Sequence, residues 1–394
     1  MVVWLFVELL AFPFVLAHIS TAPLGFLGEG ETLLAQTSKR GVFPRDYIAL
    51  TGDSYAAGWG DCAAGAADRA RDCPTPAERV HRSTGRDVVT FARPGAGILR
   101  AIIDEPLSQL AYARGLSWWA FADPDILLVF FYEGNDVDDN AWDLRVRYFQ
   151  GGYGEYGRLT PGDFEGFVDA EVLGADPLFG ASQQLGLSDR LLFSRSLFAA
   201  VFSVMGDSAA PPEATEGCPG RPLGSGQPGD QDPIRVHVAG RSQEIPSGLQ
   251  GPAMGATERQ RRQGMETLEL ALGALQRRLP DTRLGLVYVP SVLSAYTLES
   301  SVVHVEDYYC GQRPTGYAPE LVLQRSDELV LEVEGVCSRQ EVEFVDARPA
   351  VRSAAVDGLV HGPEDWRHFN DKGYRALSQA VLALCDRMGV PNNH

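Results

Sequence analysis

Gly52, Asp53 and Ser54 stand where a short apolar run ends and small residues follow. The run, residues 47–51, predicts a buried strand. A serine directly after such a strand lies at the edge of an open α/β sheet where ligands bind. A helix starting there would turn its N–H groups and the positive end of its dipole toward the serine. The same residue types are common in turns, so the triplet alone favours an ordinary turn.

A histidine with a nearby carboxylate lies toward the other end of the chain. Asp365 precedes His368 by three residues, which lets the carboxylate accept a hydrogen bond from one imidazole nitrogen. The other ring nitrogen can then take a proton from a serine hydroxyl, the general-base role. The alternative is that His368 is a surface or helix-capping residue.

Two more candidate positions follow predicted strands. Asn135 comes after the apolar run 126–131, where its side-chain amide can donate to a developing oxyanion. Gly97 follows the run 88–91, with Gly95 close by. A glycine lets a backbone N–H approach a ligand because no Cβ stands in the way.

The order of these four segments resembles the conserved blocks of the SGNH/GDSL hydrolase superfamily. The resemblance is confined to short segments, residues 47–60, 88–100, 126–137 and 357–378. Ala92 stands at about the place where the family has an asparagine.

The resemblance implies a role for each matched residue. Ser54 is the nucleophile, and Asp365 and His368 complete a catalytic triad. The oxyanion hole consists of the Ser54 N–H, the Gly97 N–H, with Gly95 as the nearby substitute, and the Asn135 amide.

The remaining pattern predicts an α/β fold. Strand-like runs alternate with helical patterns, which is typical of a parallel sheet covered on both faces. The predicted strands are 47–51, 88–91, 126–132, 284–289 and 342–346, and the predicted helices are 98–115, 257–279 and 373–388. The resemblance implies a flavodoxin-like three-layer α/β/α fold with a five-stranded parallel sheet and a large insertion.

We expect the hydrolase-like domain to comprise residues 45–137 and 257–390. Residues 138–256 do not fit that core and are predicted to form an inserted cap. Within it we expect an apolar helix around 191–204 and an exposed strand at 234–238. Residues 206–232 are rich in Gly, Pro and Ser, which predicts a flexible loop.

The first eighteen residues are almost wholly apolar, with Glu8 the only formal charge. We therefore predict that residues 1–22 form an uncleaved membrane anchor or, as the close alternative, a cleaved signal peptide. Either places the protein in the cell envelope, membrane-anchored or exported to the bacterial periplasm or the extracellular side.

Six cysteines, an even number, suit an exported protein. Cys62 and Cys73 flank a short loop after Ser54 and form one plausible bridge, and Cys310 and Cys337 form a second. Cys385 is expected to be simply buried. A wholly reduced cytosolic protein is the alternative.

The formal net charge of −18 argues against binding nucleic acid or anionic lipid through a basic surface. His361, Asp365 and His368 have the chemistry of metal ligands, but no further His/Cys cluster supports a metal site. The sequence lacks a phosphate-loop Gly-Lys-Ser/Thr motif and a Gly-x-Ser-x-Gly elbow. We expect neither a metal nor a cofactor.

Two classes of function remain open. The first is a serine ester hydrolase or acyltransferase acting on a small-molecule or polysaccharide ester, above all on acetyl groups of envelope or secreted carbohydrate. Cleavage of lipid esters or thioesters is its narrower alternative. The second is a non-catalytic, membrane-tethered binding protein that keeps the fold, although a binding scaffold has no need of a complete nucleophile, base and orienting carboxylate.

Overall fold

A five-stranded, all-parallel sheet forms the centre of the molecule in a computed structural model of the chain. The structure describes residues 2–7, 11, 33–42, 44–61, 73–116, 121–176, 232–306 and 314–391.

Strands within these residues are numbered in chain order: β1 Tyr47–Thr51, β2 Asp87–Thr90, β3 Ile126–Tyr132, β4 Ile234–Val238, β5 Arg241–Ile245, β6 Arg283–Val289, β7 Thr297–Leu298, β8 Val303–Val305, β9 Thr315–Tyr317 and β10 Glu343–Asp346. The α-helices follow the same rule: α1 Val2–Phe6, α2 Ser54–Ala57, α3 Pro76–Thr84, α4 Glu105–Leu116, α5 Asp136–Asp143, α6 Pro161–Phe167, α7 Glu258–Arg278, α8 Pro319–Arg339, α9 Arg348–Asp357 and α10 Asp371–Arg387. Wider π-helical turns precede α4 and follow α5 and α6, at Leu99–Asp104, Leu144–Phe149 and Val168–Leu173.

The central sheet has the strand order β2-β1-β3-β6-β10. This is the flavodoxin-like order, in which strands are added first on one side of β1 and then, from β3 onward, on its other side. The five strands are the five predicted from apolar runs, with boundaries that shift by one residue at most. Such runs are continuous because strands of a parallel sheet are buried on both faces.

Alternate residues of the strands pack into two separate cores. Ala49, Leu127 and Val129 face one layer of helices, built from α4, α7 and α8. Ile48 and Leu128 face the other, built from α3, α9 and α10. The predicted three-layer α/β/α architecture is therefore confirmed.

The predicted helices are also present, and their ends have physical causes. Thr257 caps α7 in a capping box with Gln260, in which each side chain accepts from the other residue's backbone N–H. Asn370 caps α10 by accepting from the N–H groups of Lys372 and Gly373.

The segment between β3 and α7 contributes to both cores. Tyr148 and Phe164 join the core under α7, whereas Ile234 and Val236 of β4 join the opposite core. The strand predicted at 234–238 is present, in a three-stranded sheet of order β5-β4-β7. The predicted helix at 191–204 and nearly all of the loop at 206–232 lie outside the described residues. The division into a domain and an inserted cap stays a prediction.

The cysteines correct one expectation. Cys73 is disulfide-bonded, while its predicted partner Cys62 lies outside the described residues. Cys337 is a free thiol, so the predicted bridge to Cys310 is wrong. The physical reason is that Cys337 points from α8 into the apolar core, where burial raises the pKa of its thiol to about 12. Cys385 is buried and free, as expected.

Most of the predicted anchor or signal peptide, residues 1–22, lies outside the described residues, which include only the short helix α1 there. Among the described residues, no helix combines the length and apolar composition needed to cross a membrane.

The contact between α5 and α7 generates a stability prediction. A Cβ on Gly264 of α7 would lie 2.9 Å from the Val137 carbonyl oxygen and 3.1 Å from Val137 Cγ1. Gly264→Ala should therefore lower the free energy of unfolding by about 1–3 kcal/mol, because backbone must shift to make room. Gly273→Ala in the same helix is the control, since only the ends of the Gln340 and Arg277 side chains lie near its Cβ position.

The control should be neutral or stabilising by up to about 1 kcal/mol, because alanine is the better helix former. Urea unfolding of the two variants measures both effects. Equal stabilities would contradict the close packing of α5 on α7.

Candidate active site

The turn after β1 fixes the position of Ser54. Gly52 has a φ of +148°, and a Cβ there would lie 2.8 Å from Phe130 Cβ, so the turn requires glycine. Asp53 caps the next helix by accepting from the Tyr55 N–H at 2.9 Å. Ser54 is thus the first residue of α2, with its backbone N–H at the helix N-terminus.

The loop before α10 fixes Asp365 and His368. The Asn370 side chain, besides capping α10, donates to the carbonyls of Leu359, His361 and Gly362 at 3.0–3.3 Å. These bonds fold the loop back on itself. The Arg367 N–H adds a bond of 2.9 Å to Asp365 Oδ1, which orients the carboxylate.

Ser54, His368 and Asp365 form a hydrogen-bonded relay. Ser54 Oγ lies 2.8 Å from His368 Nε2, and His368 Nδ1 lies 2.6 Å from Asp365 Oδ2. An ionised carboxylate only accepts, so it selects the tautomer with a proton on Nδ1 and leaves Nε2 to accept from the serine hydroxyl. The structure thus brings together three residues predicted from the sequence; their catalytic role stays a prediction.

The relay keeps Asp365 ionised. Burial acts to raise the pKa of this carboxyl, but the hydrogen bond from His368 and the Arg367 N–H outweigh it, so the pKa lies below its ordinary value. A carboxylate in that state can stabilise positive charge on His368 when the imidazole takes a proton.

Asn135 follows β3 at the first turn of α5. Gly134 precedes it, where a Cβ would lie 2.3 Å from the Tyr132 ring, so only glycine permits this turn. The Asn135 side chain makes no cap hydrogen bond to α5. Its Nδ2 instead donates to Asp139 Oδ2 at 3.1 Å, and its Oδ1 is buried without a hydrogen-bond partner.

Gly97 lies against the same carboxylate. A Cβ on Gly97 would be 3.1 Å from Asp139 Cβ and 3.4 Å from Asp139 Oδ2. Gly95, its predicted substitute, has a φ of +74° and nothing within 4 Å of its Cβ position. The structure therefore places Gly97 and Asn135 around one shared neighbour, Asp139, whereas Gly95 faces open space.

Two further carboxylates are buried beneath the site. Burial raises the pKa of Asp53 to about 6, against the opposing effects of the Tyr55 N–H and nearby His368. Burial also raises the pKa of Asp136 well above its ordinary value, and the proximity of Asp53 and then Asp139 adds to the shift. Asp136 Oδ2 accepts from the Tyr132 N–H at 2.7 Å.

A metal site has no support from the geometry. His361 is buried with Nδ1 3.0 Å from the Tyr296 hydroxyl, and both ring nitrogens of His368 contact Ser54 and Asp365. Burial, followed by the proximity of His368, lowers the pKa of His361 to about 3, so this ring is neutral. No cluster of three or more potential ligands occurs in the part of the chain that the structure describes.

Asp139 is not among the residues predicted from the sequence. Its four-residue spacing from Asn135 was a usable signal, because side chains at i and i+4 are neighbours on a helix. The contact with Gly97 had no such signal, since it depends on the packing of two separate loops.

Comparisons with known proteins add little to this description. No family model and no curated protein sequence matches the chain. Among solved structures, an extracellular lipase from Streptomyces rimosus is similar at 14% identity, over 87% of this chain and 99% of the lipase chain, with a TM-score of 0.37. A likeness at this level establishes neither a shared fold nor a shared activity, so the function rests on the site itself.

The buried Asp53 predicts a pH-dependent stability. Its pKa is about 6 when folded, against 3.8 ordinarily, so the folded state holds the proton more tightly than the unfolded chain does. Wild type should therefore lose stability from Asp53 as the pH rises from about 4 to about 6. Asp53→Asn keeps an acceptor for the Tyr55 N–H and removes the charge. Its free energy of unfolding should therefore rise relative to that of wild type by on the order of 2–3 kcal/mol over that range.

Urea unfolding between pH 4 and 8 measures the difference, with the exposed Asp281→Asn as the control for loss of one charge. A difference between Asp53→Asn and wild type that stays constant over this range would contradict the burial of a costly carboxylate.

Proposed function

We propose that this protein is a serine-dependent ester hydrolase or acyltransferase of the SGNH type that acts on acetyl or other acyl esters of envelope or secreted carbohydrate. The observation that carries the proposal is the relay from Ser54 Oγ through His368 to Asp365, with distances of 2.8 and 2.6 Å. These separations suit proton transfer from a nucleophile to a base that a third group orients.

In the proposed acylation step, Ser54 Oγ attacks the ester carbonyl carbon while its proton passes to His368 Nε2. Asp365 stabilises the resulting imidazolium through Nδ1. The carbonyl oxygen becomes an oxyanion held by the Ser54 and Gly97 N–H groups and the Asn135 amide. When the intermediate collapses, the C–O bond to the alcohol breaks and His368 returns its proton to the leaving alkoxide.

In the second step an acceptor hydroxyl attacks the acyl-serine. His368 takes the acceptor's proton, the ester bond to Ser54 breaks, and the same proton returns to Ser54 Oγ. Water as acceptor gives hydrolysis, and a sugar hydroxyl gives transfer. The chemistry of the relay is the same in both cases.

Two observations support the substrate class and location. Trp59 is 49% exposed, although hydrogen bonds fix its backbone next to Ser54. Its N–H donates to the Ser54 carbonyl at 2.9 Å, and its carbonyl accepts from the Tyr374 hydroxyl. An exposed indole so close to the nucleophile offers a flat apolar surface on which a sugar ring can pack. The disulfide at Cys73 supports an exported protein, because such bonds persist outside the cytosol.

The first functional prediction concerns the nucleophile. A fluorophosphonate probe should label wild type at Ser54, and Ser54→Ala should lose both the label and at least a thousandfold of the turnover of p-nitrophenyl acetate, about the loss expected when a nucleophile is removed. Ser378→Ala is the matched control, since the Ser378 hydroxyl is buried without a hydrogen-bond partner. Its labelling and turnover should match wild type.

The same assay separates the alternatives. Acetylated oligosaccharides should release acetate faster than long-chain p-nitrophenyl esters are cleaved. Preference for the long chains would point to a lipid esterase, and preference for acyl thioesters to a thioesterase. Wild type that neither takes the probe nor cleaves any ester would leave the binding protein as the better interpretation.

The second functional prediction concerns Asn135. An amide aimed at the oxyanion binds more strongly as charge develops, so Asn135→Ala should lower kcat roughly a hundredfold or more with little change in KM. The protein should melt near the wild-type temperature, because Asn135 makes no cap hydrogen bond and only one bond, to Asp139, is lost. A destabilised but fully active variant would reject the oxyanion role.

A further inference from the structure

We propose that Asp139 is a positioning residue for the oxyanion hole: its carboxylate holds the Asn135 amide in the orientation that presents an N–H to the substrate. The inference rests on the proposed function, because the orientation of the amide matters only if an oxyanion forms beside it. Its geometric part, that Asp139 sets the orientation, can be tested without any activity.

The first step is the hydrogen-bonding capacity of Asn135. A carboxamide nitrogen carries two N–H groups, and its oxygen only accepts. Asp139 Oδ2, at 3.1 Å from Nδ2, uses one of the two donors. The second N–H on the same nitrogen points away from Asp139 and is the one that can reach an oxyanion.

The second step is the choice between the two flipped states of the amide. Rotating it by half a turn would bring Asn135 Oδ1 against the Asp139 carboxylate, where an oxygen with partial negative charge meets an anion. Neither group could donate, so that state loses a charge-assisted hydrogen bond and gains repulsion. Asp139 therefore selects the state in which Nδ2 of Asn135 faces the carboxylate.

Among the described residues, no other group holds the Asn135 amide in this orientation. Oδ1 of Asn135 is buried without a hydrogen-bond partner, so nothing holds the amide from its oxygen side. The side chain also forms no cap bond with α5. Among the described residues, the contact with Asp139 is the only hydrogen bond in which the Asn135 side chain takes part.

The fourth step concerns Gly97. Its Cβ position lies 3.1 Å from Asp139 Cβ and 3.3 Å from Cγ, so the side chain of Asp139 packs directly on this glycine. Asp139 thus touches residues from two separate loops that both supply predicted oxyanion donors.

Electrostatics sharpens the expectation. A negative charge close to a developing oxyanion raises the free energy of the transition state, so the charge of Asp139 is not the useful property. The useful property is an oxygen at this distance that only accepts. An asparagine at position 139 removes the charge and keeps an acceptor, but its own N–H groups can also donate to Asn135 Oδ1, so it selects less strictly between the two flipped states. Alanine removes the contact altogether.

The test combines kinetics with a double-mutant cycle. Asp139→Ala should lower kcat on p-nitrophenyl acetate about tenfold or more with KM nearly unchanged, and the kcat of Asp139→Asn should lie between that of Asp139→Ala and that of wild type, because its amide can pair with either flipped state of Asn135. In the Asn135→Ala background, Asp139→Ala should have almost no further effect on kcat, because the proposed effect on the oxyanion passes through that amide. Glu266→Ala, an exposed carboxylate in α7, controls for loss of one negative charge.

Two kinetic results would overturn the inference: full activity of Asp139→Ala, or an undiminished loss in the Asn135→Ala background. If Asp139→Ala fails to fold, Asp139→Ser, whose hydroxyl is too short to reach the amide, takes its place in the cycle.

A crystal structure of the Asp139→Ala or Asp139→Ser variant provides the readout that does not need activity. At atomic resolution, where the amide oxygen and nitrogen can be told apart, the Asn135 amide should be rotated or adopt more than one conformation. An unmoved Asn135 without the carboxylate contradicts the positioning role. An inactive wild type with a rotated amide in the variant would instead refute the proposed function and leave the geometric inference standing.

Discussion

The site depends above all on how two loops, carrying residues 314 positions apart in sequence, are held against each other. The loop after β1 carries Ser54 and the loop before α10 carries His368.

The Tyr55 hydroxyl donates to the Arg367 carbonyl at 2.6 Å, and the Asp365 N–H donates to Asp61 Oδ1 at 2.5 Å. Gly60 permits this approach, because a Cβ there would lie 2.4 Å from the Phe369 carbonyl oxygen. The hydrogen bond from Ser54 to His368 requires both side chains to be held in place, and these contacts between the two loops fix both ends.

The carboxyl edge of the sheet also holds a buried carboxyl group, which is stable only where hydrogen-bond partners surround it. Glu133, at the end of β3, accepts from the Tyr288 hydroxyl at 2.5 Å, from the Ser291 N–H and hydroxyl, and from the Ser294 and Ser326 hydroxyls. It thereby ties β3 to β6 and α8 and makes the strand end rigid. Asn135, the predicted oxyanion donor, lies two residues further along the chain.

The sequence was most informative where a local pattern carries the physics. The strands could be predicted because burial on both faces leaves continuous apolar runs. Helix α7 could be predicted because its apolar residues recur at helical spacing directly after Thr257, a good N-cap. Ser54 could be singled out because it follows an apolar run and a Gly-Asp turn, and His368 because Asp365 precedes it by three residues. Pairing the cysteines failed, because nothing local shows that Cys337 faces a core on α8. Asp139 was not predicted, although it lies one helical turn from Asn135, and its contact with Gly97 depends on the tertiary fold.

The electrostatics of the site places different demands on the two halves of the proposed mechanism. Asp53 and Asp365 lie near His368, and Asp139 lies against Asn135. In that mechanism, ionised carboxylates favour the imidazolium that would form as Ser54 loses its proton, and they disfavour the oxyanion that would form at the same moment. Because the field of these charges would oppose the oxyanion, its stabilisation would have to come from short, directed N–H groups whose effect at about 3 Å outweighs more distant charge. On this proposal the geometry of those donors is a stricter requirement than the basicity of the histidine, and a residue that holds them in place takes part in the function without touching the substrate.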